Sequence, residues 1–298
     1  MEHQHNSGKS IIIVIIILSI VFILELFGGL IFSSLSLISD SAHVFFDVFS
    51  LVLTYAALSI AKEKNPTKEM TYGYHRLEVF SAIINGVTLT GVSFIILYEA
   101  YHRLFETPEI NAFYVMVIAI VGLIINIISA LIIMSDKSYK IDINIKSAFL
   151  HLVGDSGASL AVVIGMIFII YTGIRIIDPI VAILISILIL FSATKVLLKT
   201  IKILLQKSPI NVEKIIEEIK EIVHINDIED VHFWQVCSYF IVGTANVITD
   251  LEKIEDTENI RRKIAEILKV KYNVQHITLQ FETPEMSKLH KHQSDHKH

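Results

Sequence analysis

Six stretches, Ile11–Phe32, Leu35–Ala61, Leu77–Tyr101, Ala112–Met134, Ile145–Tyr171 and Ile176–Leu198, are each apolar enough and long enough to cross a bilayer. Crossing takes roughly 20 residues of helix at a rise of ~1.5 Å each. Nothing else in the chain constrains the fold as strongly. Hydrocarbon offers backbone N–H and C=O groups no water to bond, so such stretches must satisfy themselves as helices. A hydrophobic fraction of 53% over 298 residues agrees, being too high for an ordinary soluble protein. Ile11–Phe32 exceeds the apolar core of a signal peptide and no small-x-small cleavage site follows it, so it reads as a retained span.

An even number of spans puts both ends of the chain on one side. Lys9, Lys62, Lys64, Lys68, Arg76, Lys137, Lys140, Lys146, Lys195, Lys199, Lys202 and Lys207 then share that side, against Arg103 and Arg175 opposite. Positive charge accumulates on the cytoplasmic side, so the termini are expected there. The simplest membrane for such a chain, with no targeting extension and no long His-rich internal loop, is a bacterial plasma membrane.

After Leu205 the composition turns polar. Val212, Ile215, Ile216, Ile219 and Ile222 recur at helical spacing, alternating stretches follow around Val231–Val236 and Phe240–Thr249, and a second amphipathic helix, Thr257–Val270, precedes a strand at Val274–Phe281. The order αββαβ describes a small open-faced α+β sandwich of about 75 residues. The expected organisation is therefore a tail (1–9), an all-α six-helix transmembrane domain (10–205), the αββαβ domain (206–284) and a His-rich tail (285–298). His3, His5, His290, His292, His296 and His298 belong either to disordered ends, in part an expression remnant, or to weak metal capture. A net charge of −5, with cations clustered beside the apolar stretches, gives no basic face for nucleic acid.

Within the spans, charge is scarce, yet His43-x-x-x-Asp47 recurs as His151-x-x-x-Asp155. Residues four apart share a helix face, so two such helices packed together present two imidazoles and two carboxylates to one point. An ionised side chain at mid-bilayer costs at least ~2.5–3.5 kcal/mol, so both aspartates need partners. One His–Asp pair could be a simple buried hydrogen bond; two identical pairs point to a metal site. Counting ~1.5 Å per residue, Asp155 lies roughly 14 Å from the end near Lys146, and His43 and Asp47 roughly 10–18 Å from the opposite face, so the four meet near mid-membrane. With one lone Cys237, sulfur cannot supply the ligands. Two His and two carboxylates suit tetrahedral Zn2+, with cadmium, cobalt, iron and manganese behind. The ligands also bind protons, so metal and proton compete for the same atoms.

Asp40, one turn from His43, reads either as a residue of the access path or as an interfacial helix cap. Glu25 and Glu78 could support proton movement, but a helix-packing hydrogen bond is the preferred reading, as it is for Asn126. No Gly-x-x-x-x-Gly-Lys-Ser/Thr loop is present, which argues against an ATP-driven pump, and no His-Glu-x-x-His, which argues against an intramembrane zinc protease. A membrane metalloenzyme would need an open ligand position and a separate general base, and the sequence offers no convincing one. A metal sensor without transport would make the membrane pairs dispensable.

Ser34-Leu35-Ser36-Leu37-Ile38-Ser39-Asp40-Ser41-Ala42-His43 through Asp47, Tyr72-Gly73-Tyr74-His75-Arg76-Leu77-Glu78 and His151-Leu152-Val153-Gly154-Asp155 resemble the signatures of the cation diffusion facilitator family over nearly the whole chain. The resemblance implies a homodimeric zinc exporter that exchanges cytoplasmic metal for protons by alternating access, with a metallochaperone-like C-terminal domain. It implies His43, Asp47, His151 and Asp155 as the transport site, with His43 matching the variant associated with zinc over cadmium. It also implies secondary metal positions at His75, His232 and Glu282. Thr71, Asn246 and Asn259 stand where family members often carry histidine, which implies incomplete secondary sites.

Overall fold

A computed structural model describes residues 3–63, 66–135, 143–251 and 253–287. Six long helices come first: α1 (His3–Ile31), α2 (Leu35–Glu63), α3 (Arg76–Arg103), α4 (Ala112–Ser135), α5 (Ile143–Thr172) and α6 (Ile177–Leu204). There follow α7 (Val212–Lys220), β1 (Asp227–Cys237), β2 (Phe240–Ile248), α8 (Ile254–Tyr272) and β3 (Val274–Glu282). The chain divides into two units, one of Met1–Ala56 with Ser81–Leu197, the other of Ala57–Phe80 with Leu198–His298.

In the first unit, α2 to α6 each contain an apolar span of membrane-crossing length, and Ile15–Ile31 of α1 is a shorter apolar stretch that carries Ser19 and Glu25. Large apolar side chains face outward, among them Phe27, Phe94, Phe168, Leu188 and Phe191, while serines and carboxylates lie inside. That inversion is what lipid solvent demands, since polar groups find partners only within the bundle. The chain is a multi-pass membrane protein. Close helix approach relies on small residues: Ala119 and Ala112 of α4 and Ser159 of α5 are buried at the packing seam, beside Val115, Val162 and Met166. Gly173 ends α5 at φ 71°, its N–H reaching Ile169 C=O at 2.8 Å, a left-handed closure that a side chain would strain.

In the second unit, β1 and β2 form an antiparallel pair, and α8 carries the chain over to β3, which lies parallel to β2 in the order β1-β2-β3. Ile215 and Ile219 of α7 and Ile260, Ile264 and Leu268 of α8 bury against Ile228, Phe233, Ala245, Val247 and Val274. Asn211 caps α7 by accepting from the Lys214 N–H at 3.0 Å, and Asn273 closes α8 at φ 54°. The αββαβ order read from the sequence is present, with β1 beginning four residues ahead of the alternation at Val231.

Candidate metal centre

Helices α2 and α5 supply the described donors. His43 Nε2 lies 3.9 Å from Asp47 Oδ2, one turn along α2. Across the helix interface the same nitrogen donates to Asp155 Oδ1 at 3.1 Å. One donor atom from each of the three lies within 4.8 Å of the others, and among the described residues no other three His, Cys, Asp or Glu side chains gather this way. A tetrahedral ion with ligands at ~2.1 Å holds its donor atoms about 3.4 Å apart. The observed 3.1 and 3.9 Å straddle that spacing. His151 occupies α5 one turn before Asp155, and its side chain lies outside the described residues.

The surroundings are apolar: Leu18, Val44, Ala130 and Leu152 form a buried cluster with Phe22 and Val48 against it. The side chains of His43 and Asp155 are only 17% and 5% exposed, so water screens them little. Two carboxylates so enclosed gain from a proton or a cation placed between them. The His43–Asp155 hydrogen bond puts a proton on the line between two atoms that a metal ion would also use.

Asp40 sits in the second turn of α2, fully buried, and accepts from Ser159 Oγ at 2.8 Å. Ser159 is in turn 3.5 Å from Asn126 Nδ2 of α4. The N-terminal hydroxyl at α2 belongs instead to Ser34, which accepts from the Leu37 N–H at 3.3 Å. Asp40 is thus part of a polar line through α4, α5 and α2.

Sequence reading missed Asp178. Fully buried near the start of α6, it accepts from Ser34 Oγ at 2.7 Å, Ser36 Oγ at 2.5 Å, and the backbone N–H groups of Leu35 at 2.7 Å and Ser36 at 3.2 Å. A carboxylate there satisfies orphan donors at the N-terminus of α2 and complements its dipole. The only local signal is Asp178-Pro179 at a helix start, which reads as a first turn of α6 alone.

Among the described residues, His75, His232 and Glu282, the positions expected for secondary metal, are not brought together. His75, in the loop before α3, has Nδ1 3.2 Å from Tyr239 Oη and its ring 5.3 Å from Phe240, so it packs on the β1–β2 turn. His232 Nε2 lies 2.9 Å from Asp230 Oδ1 on an exposed bulge of β1. Glu282, buried at the end of β3, accepts from Gln280 Nε2 at 2.5 Å. His232 pairs with Thr244 while Glu282 pairs with Ile248, so the register sets them four rows apart, about 13 Å along the sheet. Cys237 is buried, and burial pushes its thiol above the ordinary range. His3 and His5 lie in α1 with side chains outside the described residues, as are His290, His292, His296 and His298 entirely.

Residues 11–205 match the model of the cation efflux transmembrane domain. The chain is 34% identical over 289 residues to a cadmium, cobalt and zinc/H(+)-K(+) antiporter of Bacillus subtilis, covering 95% of this chain and 92% of that protein. It is 33% identical over 285 residues to the metal cation efflux system protein CzcD of Cupriavidus metallidurans, covering 94% and 89%. It is 31% identical over 293 residues to the zinc transporter ZitB of Pectobacterium atrosepticum, covering 95% and 89%.

Proposed function

This chain belongs to the cation efflux family, the cation diffusion facilitators, and from that membership we propose that it exports Zn2+ from the cytoplasm in exchange for protons. It is a transporter and not an enzyme. The observation that carries the zinc and proton reading is the convergence of His43, Asp47 and Asp155, with donor atoms within 4.8 Å of one another, inside an apolar bundle.

In this reading His43, Asp47, His151 and Asp155 hold the ion. Two ionised aspartates and two neutral histidines balance one dication, so the loaded site carries little net charge in low dielectric. Without metal, the same carboxylates and imidazoles draw protons, which couples the two fluxes. Alternating exposure of the site to the two sides then moves metal one way and protons the other. Two nitrogens and two oxygens favour zinc over Mg2+ and Ca2+, which want oxygen shells, while Cd2+, Co2+ and Fe2+ remain competitors. Cytoplasmic termini, a plasma-membrane location and a homodimer complete the proposal, the first of these supported by the lysine distribution.

The test is flux of radioactive zinc into proteoliposomes under an imposed pH gradient. Asp155→Ala and His43→Ala are expected to weaken zinc uptake by more than about 100-fold, since losing even an outer-shell partner of a metal ligand costs 10–100-fold. Gradient-driven flux surviving in both variants would overturn the site assignment. A lumen pH that stays constant during sustained zinc flux would overturn the coupling.

A further inference from the structure

Glu25 sits in the interior of α1 with 1% of its surface exposed, and neither carboxylate oxygen has a hydrogen-bond partner among the described residues. Helix α4 is shaped around it. A Cβ at Gly122 would overlap Glu25 Oε1, and Val21, one turn earlier on α1, closes over the same glycine. A helix-packing hydrogen bond requires a donor, and none is present among the described residues. A purely apolar contact would be better served by leucine.

The titratable groups that act on Glu25 are Asp40 from α2 and Asp155 from α5, both carboxylates. Helix α4 carries no Asp, Glu, His, Lys or Arg. Glu25 therefore shares its interior with one residue of the polar line through Ser159 and Asn126 and with one residue of the metal centre. An ionised carboxyl group in this niche would meet two like charges and, among the described residues, no donor, an arrangement that a bound proton relieves. A dication bound between Asp47 and Asp155 cancels the field of their charges at Glu25, and the proton is then no longer needed.

We propose that Glu25 is a proton-binding site of the exchange cycle, separate from the metal ligands. It holds a proton while no cation occupies the centre and releases it when the dication binds. The O–H bond of the carboxyl group breaks, the proton leaves to solvent, and the carboxylate formed no longer faces an uncompensated charge on Asp155. This rests on the metal/proton exchange proposed above and adds a residue that exchanges protons without touching metal.

The test counts protons released per zinc bound by the full chain in detergent, using calorimetry in buffers of different ionisation enthalpy. The parent is expected to release protons, and Glu25→Gln to release fewer by about one while still binding zinc. Glu25→Asp, which keeps an ionisable group, should retain the release; a packing role predicts the opposite order, with the isosteric Gln better tolerated than Asp. If the parent releases protons and Glu25→Gln releases as many, the Glu25 assignment falls and exchange stands. If the parent releases none, exchange itself falls and this inference with it. Should Glu25→Gln not fold, zinc-induced infrared difference spectra of the parent and Glu25→Asp decide: loss of a carboxylic-acid carbonyl band whose frequency differs between the two supports the assignment, and a band identical in both, or no band, overturns it.

Discussion

At the scale of single residues, the His–Asp cluster follows from a spacing and the niche of Glu25 follows from a glycine. His43, Asp47 and Asp155 are legible because a four-residue repeat fixes which helix face carries them, and packing α2 on α5 needs only to bring those faces together. The niche for Glu25 is not legible, because its defining feature is the Cβ that Gly122 lacks on another helix, 97 positions away. The pairing is testable by a double-mutant cycle. Gly122→Ala alone is expected to destabilise the bundle by about 1–3 kcal/mol through overpacking, whereas in a Glu25→Ala background most of that cost should vanish. Thermal unfolding in detergent measures both; additive costs would mean the two side chains do not meet.

At the scale of elements, hydropathy announces the six helices because hydrocarbon leaves the backbone so few choices. It says nothing about what ties their ends together. Asp178 of α6 accepts four hydrogen bonds from residues 34–36, more than 140 positions earlier in the chain, so a reader of the sequence sees only its local helix start. Asp178→Ala would leave two hydroxyls and two N–H groups at the start of α2 without their acceptor, at a cost of roughly 2–4 kcal/mol. Hydrogen exchange localises the effect: the amides of Leu35 and Ser36 should exchange much faster in the variant, while α8 exchanges as before. The C-terminal sheet is legible for a different reason. Its alternation and its helical periodicity each mark a half-buried face, and a two-residue turn and a crossover helix leave little freedom in joining them. The separation of His232 from Glu282 is not visible that way, since register emerges only once strands pair.

At the scale of the whole molecule, each unit can be followed separately. Cys237, the sole cysteine, is buried with Val79, Ile203, Leu204 and Phe240, and burial together with the charge of Glu78 keeps the thiol protonated. Thiolate is the reactive form, so maleimide labelling of the native protein should run slower than that of the unfolded chain by more than about 100-fold. Rapid labelling under native conditions would contradict the packing of β1 against the ends of α3 and α6 within this unit. In the helical unit, the four bonds to Asp178 make the start of α2 a fixed point shared with α6. His43 lies eight residues along α2, about 12 Å from that point, so a tilt of about 10° carries it about 2 Å. That travel equals a whole zinc–ligand bond of ~2.0–2.2 Å. A tilt of α2 about the Asp178 anchor as slight as this would therefore change the reach of His43 toward Asp155 by the length of a metal–ligand bond, with the enclosing helices still packed.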